Sequence, residues 1–464
     1  MTRGSSQTDT QADSSREDSL ENAIPKDLEF LANHHRATSG TEKYGSINSL
    51  APTLVGQAPA VNDPFGDESG EGVKYKTLSW WQCGILLIAE TMSLGVLSLP
   101  EVIATMGFVP GIVLIAGIGL VATYTGFVIA QFKQAFPQVH SFADAGQIMF
   151  GRVGKEIIEI IQAMIFIFIM AAHVLTFTVM MNTLTGHATC TMIFGVVGAV
   201  LSFILSLPRT MKNMSYISIF SCISVAAAVL VTMIGVGIAK PGLGTTFAVV
   251  PSRLTSISRA TVAVADIIIA YTGHMAFFGF ITELKQPRDF PKALVLLQTV
   301  AVTVYIVVAV VIYQYAGAAV ASPALSSASP LFKKIAFAIA APTIVVAGVI
   351  NAHVCVKNIY VRIWRGTDVM SQRSGIKGPG SWIALCAAVW IVALLIAAAI
   401  PVFSQLLGLV GALFCSWFSL GIPACLWLYM NRGAYGKNWK AIALTALNGS
   451  ILLMSFAVCI VGTY

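Results

Sequence analysis

From Trp80 onward, long apolar runs alternate with short polar connectors. Eleven runs are distinguished, at 80–104, 109–131, 157–182, 189–207, 215–238, 259–282, 294–317, 335–361, 382–401, 405–430 and 440–461. About 20 helical residues suffice to cross a bilayer core, so the pattern predicts eleven transmembrane helices. Two runs are badly suited to plain membrane helices. The first carries Glu90, Thr91 and Ser93 in its middle, with Gly95 and Pro100 loosening the backbone. The sixth carries Asp266 and then Tyr271-Thr-Gly-His274 near its midpoint. Irregular backbone at that depth survives only when buried in protein or lining a wet cavity, where its freed amides and carbonyls become ligand groups. Spans 1 and 6 correspond if spans 1–5 and 6–10 form two halves, and five spans per half put the halves in opposite orientation. The expected fold is an all-α integral membrane protein with a 5+5 inverted repeat, discontinuous helices 1 and 6, and one extra helix.

Composition agrees with the membrane reading. At 56% hydrophobic and 11% charged, the chain is too apolar for a soluble domain, where about 25% charged is usual. The formal charge of +7 hides two opposed parts. Residues 1–71 carry five Lys/Arg against twelve Asp/Glu, and the remainder carries 23 against nine. Residues 1–74 have no sustained apolar period and are read as a disordered, acidic cytoplasmic tail, ahead of a membrane domain over 75–464. The tail's serines, threonines, Lys26 and Lys43 are candidate targets for phosphorylation or ubiquitination machinery, against the plain alternative of a solvated tail. No apolar stretch follows Met1, so the first span is expected to act as its own insertion signal. With the N-terminus inside, eighteen Lys/Arg fall on the inner side and five outside, which predicts a cytoplasmic N-terminus. The sequon at Asn213 then lies inside and is expected to be unused. The basic residues are scattered between spans, which argues against a nucleic-acid partner. Eight isolated cysteines indicate neither a disulfide framework nor a metal site.

Interrupted spans in corresponding positions are the sequence pointer to a transporter whose site lies where the two breaks meet. The residues resemble a known family. Gly95-Val-Leu-Ser-Leu-Pro100, Tyr271-Thr-Gly-His274 and Glu283-Leu-Lys-Gln-Pro-Arg-Asp-Phe-Pro-Lys292 look like the amino acid/auxin permease family. The last run, with Leu207-Pro-Arg-Thr-Met-Lys212, is similar to its fungal neutral amino acid permease branch. The resemblance covers Tyr75 to Tyr464 and implies the fold of the amino acid-polyamine-organocation (LeuT-like) transporters, with proton-coupled uptake of amino acids. The chain stops directly after span 11, which leaves open a short external end or a longer chain.

The chemistry of the breaks suits such a substrate. A zwitterion needs a cationic and an anionic host close together, and two interrupted helices supply both from backbone. Amides around Leu94, Gly95 and Val96, with Ser93 beside them, are expected to hold the carboxylate at the positive end of a half-helix. Carbonyls from Glu90 to Met92 and from Tyr271, Thr272 and Gly273 are expected to hold the ammonium. Gly95 would let the ligand approach the backbone; its alternative is a small residue for helix packing. Glu90 and Asp266, each costing roughly 3 kcal/mol or more if ionised at the centre of a bilayer, are candidates for proton coupling, against structural hydrogen-bonded carboxyls. His274, at the break, is a candidate for titration or substrate contact. His173 and His353 are read as satisfied interior residues, and Phe277 and Phe278 as pocket or packing aromatics.

The expected mechanism is alternating access, in which spans 1, 2, 6 and 7 rock against spans 3, 4, 8 and 9, a division implied by the resemblance. No cofactor or metal is expected. Protons are favoured over sodium because span 8 offers Thr343 and Asn351 but no Ser/Thr pair at its inner half. A membrane enzyme is disfavoured, since only His140 near Asp144 pairs imidazole with carboxylate at a membrane edge. Three alternatives stay open: a plasma-membrane carrier, the favoured one; a vacuolar exporter of the same chemistry; and a non-transporting amino acid sensor.

Overall fold

The computed structural model describes residues 78–208, 214–242, 249, 256–317, 320–364 and 376–463. The expected tail 1–74, the sequon at Asn213, and Lys74, Lys76, Arg209, Lys212, Arg253, Arg365 and Arg373 of the charge count lie outside the described residues.

The first span starts at Ser79, whose backbone N–H donates to Gln82 Oε1 at 3.0 Å, as in a capping box. Helix α1 (Trp80–Thr91) then runs to the break. Met92 and Ser93 leave helical geometry, a 3-10 turn covers Leu94–Leu97, and α2 (Leu99–Met106) continues with Pro100 in its first turn, where proline costs no hydrogen bond. The two halves are bent by 49°. The side of the membrane at which α1 begins is here the near side, and α2 leads to the far side. Gly107, at φ 89°, turns the chain into α3 (Phe108–Ala135). Helix α4 (Phe142–Thr185) is two helices merged across a kink at Gly151, whose φ is 68°, so the third span begins earlier than its apolar run does.

Helix α5 (Thr191–Ser206) follows, then α6 (Met214–Ala239). The sixth span is α7 (Ile257–Ala270) and α8 (His274–Glu283), separated at Tyr271–Gly273 but forming one apolar run without a sharp bend. Helices α9 (Phe290–Ala316), α10 (Pro330–Trp364) and α11 (Ser381–Ala399) are spans 7 to 9. Span 10 is α12 (Phe403–Val410), two successive π-helical stretches at Gly411–Cys415 and Trp417–Gly421, and α13 (Ile422–Met430). Helix α14 (Trp439–Thr463) ends the described chain.

Among the described residues, nine helices are long and apolar enough to cross a membrane, and the bent pair α1–α2 makes a tenth crossing. The expected count of eleven is not confirmed: the remaining apolar helix, α5, has 16 residues. At 1.5 Å per residue it reaches about 24 Å, short of a hydrocarbon core of about 30 Å. Pro208, two residues beyond its end, cannot continue the helix.

The spans sort into two packed groups. Helix α10 lies along α4, and α5 and α11 pack on both, forming a scaffold from spans 3, 4, 8 and 9. Helix α9 packs on α1, α2 and α3, while α2 meets α7 and α8 meets α3, forming a bundle from spans 1, 2, 6 and 7. Contacts recur with a five-span offset. As α1 packs on α6, so α7 packs on span 10, and as α10 packs on α6, so α4 packs on α12. This is the internal symmetry of a 5+5 repeat, with α14 outside it. The lipid-facing surface is apolar: Leu453, Phe456 and Ile460 on α14 and Val196, Val200 and Ile204 on α5 are all exposed.

Candidate functional site

The two breaks meet backbone to backbone. A Cβ on Gly95 would stand 2.5 Å from the Ala270 Cα, and one on Gly273 would strike Thr91 Oγ1. Only glycine at both positions allows the approach. The Tyr305 hydroxyl of α9 ties the junction from behind, donating to the Ala270 carbonyl at 2.6 Å and standing 3.4 Å from the Thr91 carbonyl. Gly95 is therefore needed for helix packing, and it also borders the cavity described next.

In front of the junction lies a small, partly open cavity of about 80 Å³. Span 1 contributes Glu90, Ser93, Leu94 and Gly95, and span 6 contributes Ile269, Thr272 and Met275. Its remaining walls come from α4 (Ile169, Ala172, His173), α6 (Ser218, Ser221), α10 (Ala347, Ile350, Asn351) and span 10 (Leu407, Val410, Cys415). The site thus sits between bundle and scaffold, where relative motion of the two would open and close it.

Both ends of the break in span 1 border the cavity. The amides of Leu94, Gly95 and Val96 open the 3-10 turn and precede its first internal bond, and the carbonyls of Ala89 and Glu90 stand at the end of α1. Helix-terminal donors and acceptors therefore lie on either side of the break. The Ser93 hydroxyl is buried in the cavity wall without a partner among the described residues. Thr272 Oγ1 donates to the Ile268 carbonyl at 2.7 Å and lies 3.0 Å from Ser419 Oγ, which ties the second break to span 10.

The other residues singled out in the sequence lie elsewhere. Met92 and Val96 are buried in the core and do not line the cavity. Tyr271 is tilted against Tyr305, with ring centroids 5.0 Å apart. His274 faces α3, its Nε2 lying 3.0 Å from both Thr125 Oγ1 and the Ala122 carbonyl, and its ring packs on Phe277. Asp266, 3% exposed, sits one turn before the break on α7 beside Gly408. His173 does line the cavity, with Nδ1 held 2.9 Å from the Ile344 carbonyl, whereas His353 packs edge-on against Trp382 outside it. The apolar walls from α4, α10 and span 10 carried no motif. Ser218 and Ser221, one turn apart within an apolar span, were the available signal for α6.

Comparison with known proteins now bears on this geometry. The sequence model of the family described as transmembrane amino acid transporter protein matches residues 76–464. The chain belongs to this family. It is 36% identical over 434 residues to the "N amino acid transport system protein" of Neurospora crassa, covering 92% of this chain and 90% of that one. It is 29% identical to a "Transmembrane transporter" of Gibberella moniliformis, over 86% and 85% of the two chains. The "Amino acid transporter AVT1D" of Arabidopsis thaliana is 28% identical over 49% of this chain and 42% of its own. Among solved structures, a Na+-coupled sialic acid symporter aligns with TM-score 0.48 at 14% identity, covering 87% of this chain and 93% of its own. A manganese transporter of Eremococcus coleocola aligns with TM-score 0.49 at 12% identity, over 82% and 93%. The protein is thus a multi-pass membrane amino acid transporter rather than an enzyme, with a small-molecule amino acid substrate.

Proposed function

We propose that this transporter takes up neutral amino acids by symport with protons, through alternating access. The observation that carries the reading is Glu90, the one Asp or Glu among the residues lining the cavity, placed at the break of span 1. A carboxyl there touches both the substrate space and the moving junction, as a coupling group must. The substrate carboxylate lies on the amides of Leu94 and Gly95 and the Ser93 hydroxyl, and its ammonium on the carbonyls of Ala89, Glu90 and Thr272. The side chain then meets Ile169, Ile269, Met275, Leu407 and Val410, an apolar lining that suits a neutral one. Met92, Val96, Tyr271, Gly273 and His274 shape the junction, and Asp266 joins the proton path from one turn away. The bundle rocks against the scaffold around this site.

Protons are favoured over sodium because span 8 offers Thr343 and Asn351 but no Ser/Thr pair at its inner half. The distribution of basic residues supports a cytoplasmic N-terminus, and the membrane assigned to the carrier is the plasma membrane. The test is uptake of a radiolabelled mixture of neutral amino acids into liposomes holding the purified protein, with and without an inward proton gradient, alongside Glu90→Gln. Gradient-driven accumulation that the variant loses, with exchange at zero gradient retained, is expected. Accumulation that ignores the gradient would sink the proton coupling.

A further inference from the structure

We infer that His173 selects among neutral substrates: its Nε2 accepts a hydrogen bond from the substrate side chain, so that a hydroxyl or carboxamide is favoured over an apolar group of the same shape. The inference rests on the proposed substrate site and names a determinant of its specificity.

His173 comes from α4 and lies against α10. A Cβ on Gly348 would stand 3.0 Å from the His173 Cβ, so this glycine lets the root of the imidazole rest on the α10 backbone. One turn earlier, the Ile344 carbonyl lies 2.9 Å from Nδ1. A carbonyl only accepts, so Nδ1 carries the proton and donates it. In the neutral ring the other nitrogen, Nε2, is then an acceptor. It has no donor among the described residues, yet it is not one of the polar atoms sealed away from open space, and the residue lines the cavity. His274 differs on both counts, with Nε2 taken by Thr125 and Ala122 and Nδ1 sealed in the core.

Two neighbours assign this lone pair to the side-chain end of the substrate. Ile169, four residues before His173 on α4 and so on the same face, also lines the cavity and belongs to the wall that meets the side chain. Asn351, about one turn beyond Gly348 on α10, repeats the arrangement. Its Nδ2 donates to the Ala347 carbonyl at 2.8 Å, which leaves Oδ1 as an acceptor without a partner among the described residues. Acceptors of this kind gain nothing from a methyl group and pair with O–H or N–H, so an apolar substrate leaves them unpaired and is discriminated against.

The test compares L-threonine with L-valine, which differ by a hydroxyl in place of a methyl, as ligands of the full chain purified in detergent, with affinities taken from ligand-dependent melting. Wild type is expected to bind threonine about fivefold more tightly than valine. His173→Asn keeps an N–H at the place of Nδ1, for the Ile344 carbonyl, and has no atom at the place of Nε2. It is expected to weaken threonine alone and to bring the two affinities within about twofold of each other. Equal affinities in wild type would overturn the inference without any variant. So would a preference that His173→Asn leaves unchanged. A loss shared equally by both ligands would put Nε2 on the ammonium common to them and overturn it too. In each of these cases wild type still binds neutral amino acids and the proposed function stands, whereas absence of binding by either ligand would sink both. No gradient is applied, so the result does not depend on proton coupling.

Discussion

The bundle and the scaffold are built from similar apolar helices yet treat their polar groups in opposite ways. In the scaffold, His173 is bonded to the Ile344 carbonyl, Trp390 Nε1 donates to Ser206 Oγ at 3.1 Å, and Arg362 pairs with Glu156 and Glu159. In the bundle, side-chain atoms of Thr91, Ser93, Glu101, Asp266, Tyr271 and Gln298 are buried without partners among the described residues, against Asn182 Oδ1 and Trp382 Nε1 in the scaffold. Each such group costs about 1–3 kcal/mol when left unpaired. A concentration of them beside the breaks means that this half of the fold is held ready for something it does not itself contain. Among the described residues, more of the unsatisfied bonding capacity lies in the bundle than in the scaffold.

Substitution can break that division. Gly95→Ala has the largest expected effect, because the new Cβ would sit 2.5 Å from the Ala270 backbone, which cannot yield as a flexible side chain can. Overpacking of about 1–3 kcal/mol, placed between the two broken helices, is expected to cut liposome uptake at least about tenfold. Uptake at the wild-type rate would show that the breaks need not touch.

Two serines sharpen the contrast. Ser206→Ala strands the buried indole N–H of Trp390 and is expected to lower the stability of the purified protein by about 1–3 kcal/mol while leaving the KM for substrate unchanged. Ser93→Ala removes a hydroxyl that has no partner among the described residues, so thermal stability should hold while KM rises about fivefold, the equivalent of about 1 kcal/mol. If the two variants behaved alike in melting and kinetics, the division between halves would fail.

Two substitutions have smaller expected effects. Tyr305→Phe removes the 2.6 Å bond to the Ala270 carbonyl and should cost about 1 kcal/mol in denaturation. Arg362→Ala, at a side chain 41% exposed, should change stability by no more than about 1 kcal/mol and leave uptake intact, since surface ion pairs contribute little. A large loss of transport there would mean that the scaffold moves as well.

Much of this was legible in the sequence wherever polarity interrupts an apolar run. Glu90, Ser93 and Gly95 in one span and Tyr271 to Gly273 in another stand out because a lipid-facing helix has no use for them, and both breaks lie where those residues are. The cavity's other walls were illegible for the converse reason. Ile169, Leu407 and Val410 face the cavity, while Val196 and Ile204 face outward, and nothing in their chemistry separates the two groups. Gly95 carried two readings that only the distance to Ala270 could weigh. The length of α5 and the kink at Gly151 depend on local turns that hydropathy does not register.

The π-helical stretches of span 10 have a consequence for helical phase. In an α-helix, residues five apart point in directions about 140° apart, so Val410 and Cys415 would not share a face. The wider turn at Gly411–Cys415 holds an additional residue per turn and brings both onto the cavity wall. Beyond it, the whole of α13 is rotated relative to the register that α12 would have imposed. The sequence of span 10 is therefore written in two frames, and a one-residue deletion between Gly411 and Gly421 would re-aim every side chain on one side of it.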